Sequence, residues 1–368
     1  MAQTMLPKDI YDYLSDKVLG QEEVLQKISV VLYKHVNGIK FKNILLIGNS
    51  GTGKTTIMKN IQRFFTEHEE LTAYKAMTIM NANTLVSEEG DVNLNRVFKN
   101  VENDIKNQFG MEIGEADLFR LMEHATVCLD EVDKISAKNY GKVNVTGLTI
   151  QHALLTILEG EKVLYETKVY NEGQAKIVRR FVDTSKMLFV CGGAFEELYE
   201  QVYNLMVNKE DDRRLRYEKY WSPETLSLTT KVVFKLKDCL KLADLYAYGM
   251  MPQFISRFSS TAILDDLSKE NLMAIMLGAP DSPYALSKSF FATFGIDLKM
   301  TDEALDFVAA KAAENGRIGA RALREVFDKL IGAIEFDPFG AEKLTKDGER
   351  PVITIDLETV KQAMPAPA

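Results

Sequence analysis

The octapeptide Gly48-Asn49-Ser50-Gly51-Thr52-Gly53-Lys54-Thr55 has the spacing G-x-x-x-x-G-K-[ST] throughout. Small residues at this spacing let backbone N–H groups curl around an anion. Upstream, Asn43-Ile44-Leu45-Leu46-Ile47 is a short apolar run ending at Gly48, the pattern of a buried parallel strand. Downstream, Ile57, Ile61, Phe64 and Phe65 recur at helical spacing. Strand, loop and helix in that order point the positive end of a helix at a bound phosphate. Asn49, Ser50, Gly51, Thr52, Gly53, Lys54, Thr55 and Thr56 are therefore the expected nucleotide contacts. Lys54 would reach the β- and γ-phosphates, and the Thr55 hydroxyl would ligate magnesium.

A second apolar run, Thr126-Val127-Cys128-Leu129, ends in Asp130-Glu131. Two acids capping a strand mean little alone. Beside a phosphate loop they acquire roles: Asp130 can hold Mg2+ through water, and Glu131 can polarise the attacking water. ATP or ADP with Mg2+ is the expected cofactor set.

Further along, Lys186-Met187-Leu188-Phe189-Val190 reads as a third strand closed by Gly192-Gly193, and a strand is expected around 74–80. Residues 8–36 read as helix with a turn at Leu19-Gly20, and residues 148–159 as helix. Strands alternating with helices imply an α/β fold with a parallel sheet covered on both faces. Residues 199–250 have mixed charges and aromatics and no clean period. Beyond Asp265 the texture becomes helical, with strands expected near 296–300 and 352–357. Leu323, Val326, Phe327, Leu330, Ile331 and Ile334 form one apolar stripe on a helix after Gly319.

At roughly 100–200 residues per domain, the 368 residues suggest two domains. The 45 basic and 53 acidic residues leave a net charge of −8, which disfavours a nucleic-acid grip as the main task. The densest basic cluster, Arg213, Arg214 and Arg216, is flanked by acids and reads as solvated surface. Cys128, Cys191 and Cys239 are scattered, as reduced thiols of a cytoplasmic protein are, and no C-x-x-C pair exists. No apolar run reaches the roughly 20 residues of a membrane span, and no signal peptide is evident.

Several separated motifs together resemble the AAA+ ATPases of the Clp unfoldase family, the ClpX branch first and HslU next. They are Val18-Leu19-Gly20-Gln21, the run from Leu129 to Ile135, Val182-Asp183-Thr184-Ser185-Lys186 with Phe189-Val190-Cys191-Gly192-Gly193-Ala194-Phe195, Pro252-Gln253-Phe254-Ile255-Ser256-Arg257, and Gly319-Ala320-Arg321-Ala322-Leu323-Arg324. The resemblance implies an AAA+ P-loop large domain over residues 1–262 and a smaller, mostly helical α+β domain over 263–368. It implies that Val18 and Leu19 contact adenine. It makes Lys54 and Glu131 catalytic, Arg257 an arginine finger given to a neighbouring subunit's ATP, and Arg321 the sensor-2 residue of the chain's own site. The alternative for Arg257 is a local salt bridge. A polar sensor-1 residue is expected after the third strand, where Cys191 or Gly192 stands. A homo-oligomeric ring, most simply a hexamer, follows from an arginine useful only in trans.

Three features depart from the family. There are no cysteine pairs for the N-terminal zinc-binding domain of ClpX. Where the pore loop has Gly-aromatic-Val-Gly, this chain has Glu88-Glu89-Gly90-Asp91-Val92-Asn93, with an acid in place of the gripping ring. No Ile-Gly-Phe tripeptide occurs in residues 196–250, which argues against docking on a ClpP-type peptidase. Lys209-Glu210-Asp211-Asp212 and Tyr217 to Trp221 occupy that region; Tyr220-Trp221 is either a partner contact or a half-buried pair. The leading expectation is an ATP-driven protein-remodelling motor or chaperone acting on an unidentified protein. The alternative is a nucleotide-gated ring scaffold or assembly factor. A DNA motor of the RuvB kind is disfavoured by the acidic balance.

Overall fold

Every residue of the apolar run Asn43–Ile47 is buried, and it forms strand β1, an interior strand of a five-stranded parallel sheet. The other strands are β2 (Met77–Asn81), β3 (Thr126–Asp130), β4 (Leu188–Gly193) and β5 (Phe258–Ile263). Their order is β5-β1-β4-β3-β2, and every pairing is parallel. This computed structural model describes all residues except 1–4, 87–90, 140, 172–173, 209–215, 223–226, 315–318, 341–343, 348–349 and 365–368. It divides into two compact units. The first comprises Met1–Leu14, Glu23–Gly48 and Lys54–Leu264, and the second Ser15–Glu22, Asn49–Gly53 and Asp265–Ala368.

In the first unit the helices are amphipathic and bury one face each. They are α1 (Pro7–Ser15), α2 (Glu22–Val36), α3 (Lys54–Glu67), α4 (Asn95–Phe109), α5 (Glu115–Glu123) and α6 (Val145–Leu158). On α3 the buried side chains are Ile57, Met58, Ile61, Phe64 and Phe65, the stripe expected from sequence. Each such side chain contributes about 1.5–3 kcal/mol on burial. The expected strands at 43–47, 74–80, 126–129 and 186–190 are all present within a few residues.

An antiparallel ribbon, Lys162–Asn171 with Gln174–Asp183, was not anticipated from the sequence. Its inner face buries Tyr165, Thr167, Val169, Val178 and Val182. Its outer face also carries Leu164, Ile177 and Phe181, which blurs the polar–apolar alternation that would announce a strand. The ribbon is tied to α4 by Glu102, which is fully buried. Glu102 accepts from Thr167 Oγ1 at 2.6 Å, from Tyr165 Oη and from Lys106 Nζ, and Lys106 Nζ also donates to the Lys168 carbonyl at 3.0 Å. Burial alone would push the Glu102 carboxyl up. The hydrogen bonds from Lys106, Thr167 and Tyr165 outweigh it and leave Glu102 below its ordinary value.

Residues 196–250 resolve into a helix (Glu196–Val207), a second ribbon (Arg216–Ser222 with Ser227–Val233) and short helices at Leu236–Cys239 and Leu242–Tyr248. Arg216 is exposed and lies 3.4 Å from Asp238. Arg213, Arg214, the stretch 209–212 and the side chains of Tyr220 and Trp221 lie outside the described residues. All three cysteines are free, Cys128 and Cys191 buried and Cys239 partly so. Burial pushes the Cys128 and Cys191 thiols up, which keeps them protonated.

The second unit has its own apolar core, built on the helices Lys269–Gly278, Pro283–Ala292, Asp302–Glu314 and Ala320–Phe336. The predicted stripe after Gly319 is buried at Leu323, Val326, Phe327, Leu330 and Ile331, with Ile334 packed at its margin. Asp297–Met300, Arg350–Ile355 and Leu344–Asp347 form a small sheet, the first two near the positions expected. No helix among the described residues is long and apolar enough to cross a membrane.

Removing one partner of a buried ion pair leaves the other charge uncompensated. Glu102→Ala should therefore destabilise the chain by about 3–5 kcal/mol. A carboxyl held below its unfolded pKa contributes stability that is present above the unfolded value and lost as pH falls through the folded one. The gap in unfolding free energy between wild type and Glu102→Gln should accordingly shrink on acidification. Urea titrations of both proteins at neutral pH and well below the ordinary carboxylate pKa would measure it.

Candidate functional site

The C-terminal ends of β1 and β3 bring the expected catalytic side chains of the first unit together. Thr55 Oγ1 donates to Asp130 Oδ2 at 2.7 Å, so the two oxygens expected to serve Mg2+ converge across 75 residues of sequence. Lys54 begins α3, is buried, and donates through Nζ to the Gly48 carbonyl. Thr56 is exposed one residue after Thr55. Glu131 follows β3 in the left-handed region, at φ 57°, ψ 36°, and its N–H donates to Asp130 Oδ1 at 2.9 Å. A non-glycine residue in that region is strained, by an amount of order 1 kcal/mol, and such strain collects at functional positions. It turns the Glu131 side chain off the line of the strand.

β4 lies between β1 and β3, with Gly192 opposite Leu46 and Cys191 opposite Leu129. Cys191 is buried in the apolar core. A Cβ on Gly192 would sit 3.5 Å from Asp130 Oδ1 and 3.9 Å from Lys54 Cδ. Of the two residues left open at the sensor-1 position, Gly192 is thus the one beside Asp130 and Lys54, and it carries no polar side chain.

The loop itself, Asn49–Gly53, belongs to the second unit. Gly51 and Gly53 adopt φ of +77° and +104°, where a Cβ would be strained. Thr52 N–H and Thr52 Oγ1 both donate to the Asn49 carbonyl, at 3.3 and 2.9 Å. Asn49 Nδ2 donates to Asp266 Oδ1 at 2.7 Å. Ala320 N–H donates to the Gly51 carbonyl at 3.0 Å. Gly319 lies so close that a Cβ would be 2.6 Å from the Gly51 oxygen, and its φ is +54°. Arg321 is the next residue but one and is exposed, away from the buried stripe of its helix. Val18 is buried, with Cγ1 3.9 Å from where a Gly53 Cβ would be; Leu19 is half-buried.

Gln21, quoted in a motif but given no role from sequence, is the main residue missed. It is buried, donates to the carbonyls of Thr52 (3.1 Å) and Asp265 (2.9 Å), and accepts from Asp265 N–H at 3.0 Å. A polar side chain in the otherwise apolar approach to a helix was the available signal. Asp266, the partner of Asn49, carried no signal at all.

Arg257 is not part of this cluster. It directly precedes β5, at the N-terminal end of the sheet, with Phe258 opposite Asn43. Five residues of β1 at about 3.3 Å each put it roughly 16 Å of strand away from Gly48. There it forms an ion pair with Glu159, and its Nε is buried without a hydrogen-bond partner. Of the pore-loop segment, residues 87–90 lie outside the described residues. Val86 and Val92 bridge across it, and Asp91 is exposed.

A glycine-rich loop between a buried strand and a helix, with a threonine and a strand-end aspartate in contact, defines a P-loop nucleotide-binding protein. The family model for the AAA domain (Cdc48 subfamily) matches residues 39–261, and the chain belongs to that family. It is a AAA+ ATPase, and it is similar to ClpX. It is 28% identical over 353 residues to "ATP-dependent Clp protease ATP-binding subunit ClpX 2" of Wolinella succinogenes, covering 92% of this chain and 79% of that protein. It is 29% identical over 346 residues to the ClpX subunit of Treponema denticola, covering 88% and 75%. It is 27% identical over 357 residues to that of Porphyromonas gingivalis, covering 92% and 79%.

The Gln21 amide satisfies three backbone groups that an apolar side chain would leave bare. Gln21→Leu should cost about 1–3 kcal/mol of stability. It should also weaken ATP binding about ten-fold, because the loop loses one of its fixed carbonyls. Titration calorimetry of the variant with ATP would test this; unchanged affinity would remove Gln21 from the site.

Proposed function

We propose that this chain is an ATP-driven protein-remodelling motor that works as a ring, most simply a hexamer, in the cytoplasm. The 2.7 Å contact between Thr55 and Asp130 carries the reading, because it sets a magnesium-ready pair beside Lys54. These oxygens suit a hard cation, which would neutralise charge on the β- and γ-phosphates when bound. Glu131, turned off the strand, orients and deprotonates the attacking water. Arg257 stands about 16 Å of strand from its own phosphate loop, which favours service to a neighbouring subunit's ATP. Its pairing with Glu159 keeps the guanidinium compensated until that partner arrives. Arg321 meets the nucleotide from the same chain, and Val18 and Leu19 line the adenine. The functional division falls at residues 1–262 and 263–368, whose relative rotation transmits the ATPase cycle.

The relatives named above are ATP-binding subunits of Clp proteases, and the substrate proposed here is likewise a polypeptide. Delivery to a peptidase is not proposed, since residues 196–250 lack Ile-Gly-Phe and hold a β-ribbon instead. The second reading is a nucleotide-gated scaffold that does little work on a substrate. Asp91 motivates it: an exposed, hydrated carboxylate grips passing side chains poorly.

Glu131→Gln should bind ATP and hydrolyse it at least a hundred-fold more slowly, in line with the usual contribution of a positioned base. Magnesium-dependent phosphate release that is equal in wild type and variant would end the enzymatic reading. Arg257→Ala should abolish hydrolysis yet retain nucleotide affinity, and mixing it with Glu131→Gln subunits should restore some turnover at the mixed interfaces. Unfolding of a tagged fluorescent protein by the wild-type ring separates motor from scaffold; ATP turnover without unfolding favours the scaffold.

A further inference from the structure

A cavity of about 530 Å³ opens at the N-terminal end of the sheet, away from the phosphate loop and wholly within the first unit. That volume lies in the range of small-molecule sites. His35, near the end of α2, reaches its wall and is 2% exposed, yet neither ring nitrogen makes a hydrogen bond of good geometry. Buried polar atoms are nearly always paired, and beyond a poorly aligned contact with the His124 backbone this cavity-lining ring has hydrogen-bonding capacity left for a partner. Burial, and then the charge of His124, push His35 down to about 3, while the His124 backbone opposes the shift. The imidazole is thus neutral at physiological pH and offers one donor and one acceptor.

Around His35 the wall is aromatic. Its ring meets Phe41 and Tyr74 edge-on, each at 5.0 Å, and Tyr74 meets His124 at 5.4 Å. Lys40, Lys42, Lys186 and Arg257 also line the cavity, against the single carboxylate of Glu159. The Arg257 Nε–H is a second buried donor without a partner. An aromatic wall, a neutral donor–acceptor ring and a cationic rim select a flat aromatic body bearing an anionic group.

We propose that this cavity is a binding site for a small aromatic or heteroaromatic phosphate or carboxylate, seated on His35 and Tyr74 with its anionic group toward Lys186 and Arg257. The occupant contests Arg257 with Glu159, so the site bears on a residue that the ring reading uses in trans. Binding itself does not rest on that reading.

Phenyl phosphate is a suitable probe, with inorganic phosphate and phenol as its separate halves. The chain has four histidines, so ring-labelled histidine NMR of the full-length protein resolves His35 and His124 individually. Phenyl phosphate should move both signals saturably in the millimolar range or below, and each half alone should bind about ten-fold more weakly. The affinity should persist in Lys54→Ala, which excludes the phosphate loop as the place of binding. It should fall about ten-fold in His35→Phe and several-fold in Lys186→Gln. Lys186 is exposed, so that second variant keeps its fold. Absence of a saturable shift, loss of binding in Lys54→Ala, or wild-type affinity in Lys186→Gln would each overturn the proposal.

Discussion

A loop shaped to offer backbone N–H groups to a phosphate has few of them left to hold its own shape. The loop from Gly48 to Gly53 is held largely through its carbonyls, although Thr52 N–H and Gly48 N–H also donate, to Asn49 and Gly193. Lys54 takes that of Gly48, Thr52 that of Asn49, Ala320 that of Gly51 and Gln21 that of Thr52. Lys54 and Thr52 are local, but Ala320 and Gln21 come from two distant segments, so the loop is fully braced only when those have folded. Glycines at positive φ make the curl affordable, and Gly319 permits a backbone approach no side chain would tolerate. Pre-formation matters because a binding site that orders itself on arrival loses affinity to entropy.

The parallel sheet adds the second half of the geometry. In a parallel sheet all C-terminal strand ends share one edge, so Asp130, Glu131 and Gly192 arrive beside the end of β1 and Lys54. The same rule sends Arg257 to the opposite edge. One topological fact therefore separates Lys54, Thr55 and Asp130 at one edge of the sheet from Arg257 at the other. At that far edge Arg257 borders the cavity lined by His35 and Tyr74.

Most strands of the parallel sheet were legible as short apolar runs because they are buried on both faces, and the Lys54–Glu67 and Ala320–Phe336 helices as apolar stripes because each buries one face in its own unit's core. Two ribbons were not. In Lys162–Asp183 the solvent face keeps Leu164, Ile177 and Phe181, and the burial of the other face is decided by Glu102 on α4, some 60 residues earlier. No local window contains both partners. Residues 216–222 and 227–233 escaped for a related reason: their mixed charges and aromatics show no single period to detect.

By itself the sequence placed Lys54, Thr55, Asp130 and Glu131 at strand ends as candidate nucleotide-site residues, because a strand ending in glycines or acids is local chemistry written in consecutive residues. The burial of the stripe after Gly319 was fixed in the same way. Only the tertiary structure decided that Gln21 braces the loop, that Gly192 rather than Cys191 lies beside Asp130 and Lys54, and that Arg257 pairs with Glu159 at the opposite end of the sheet. Each of those depends on which segments meet in space, and the sheet order and register that bring them together are properties of the whole fold.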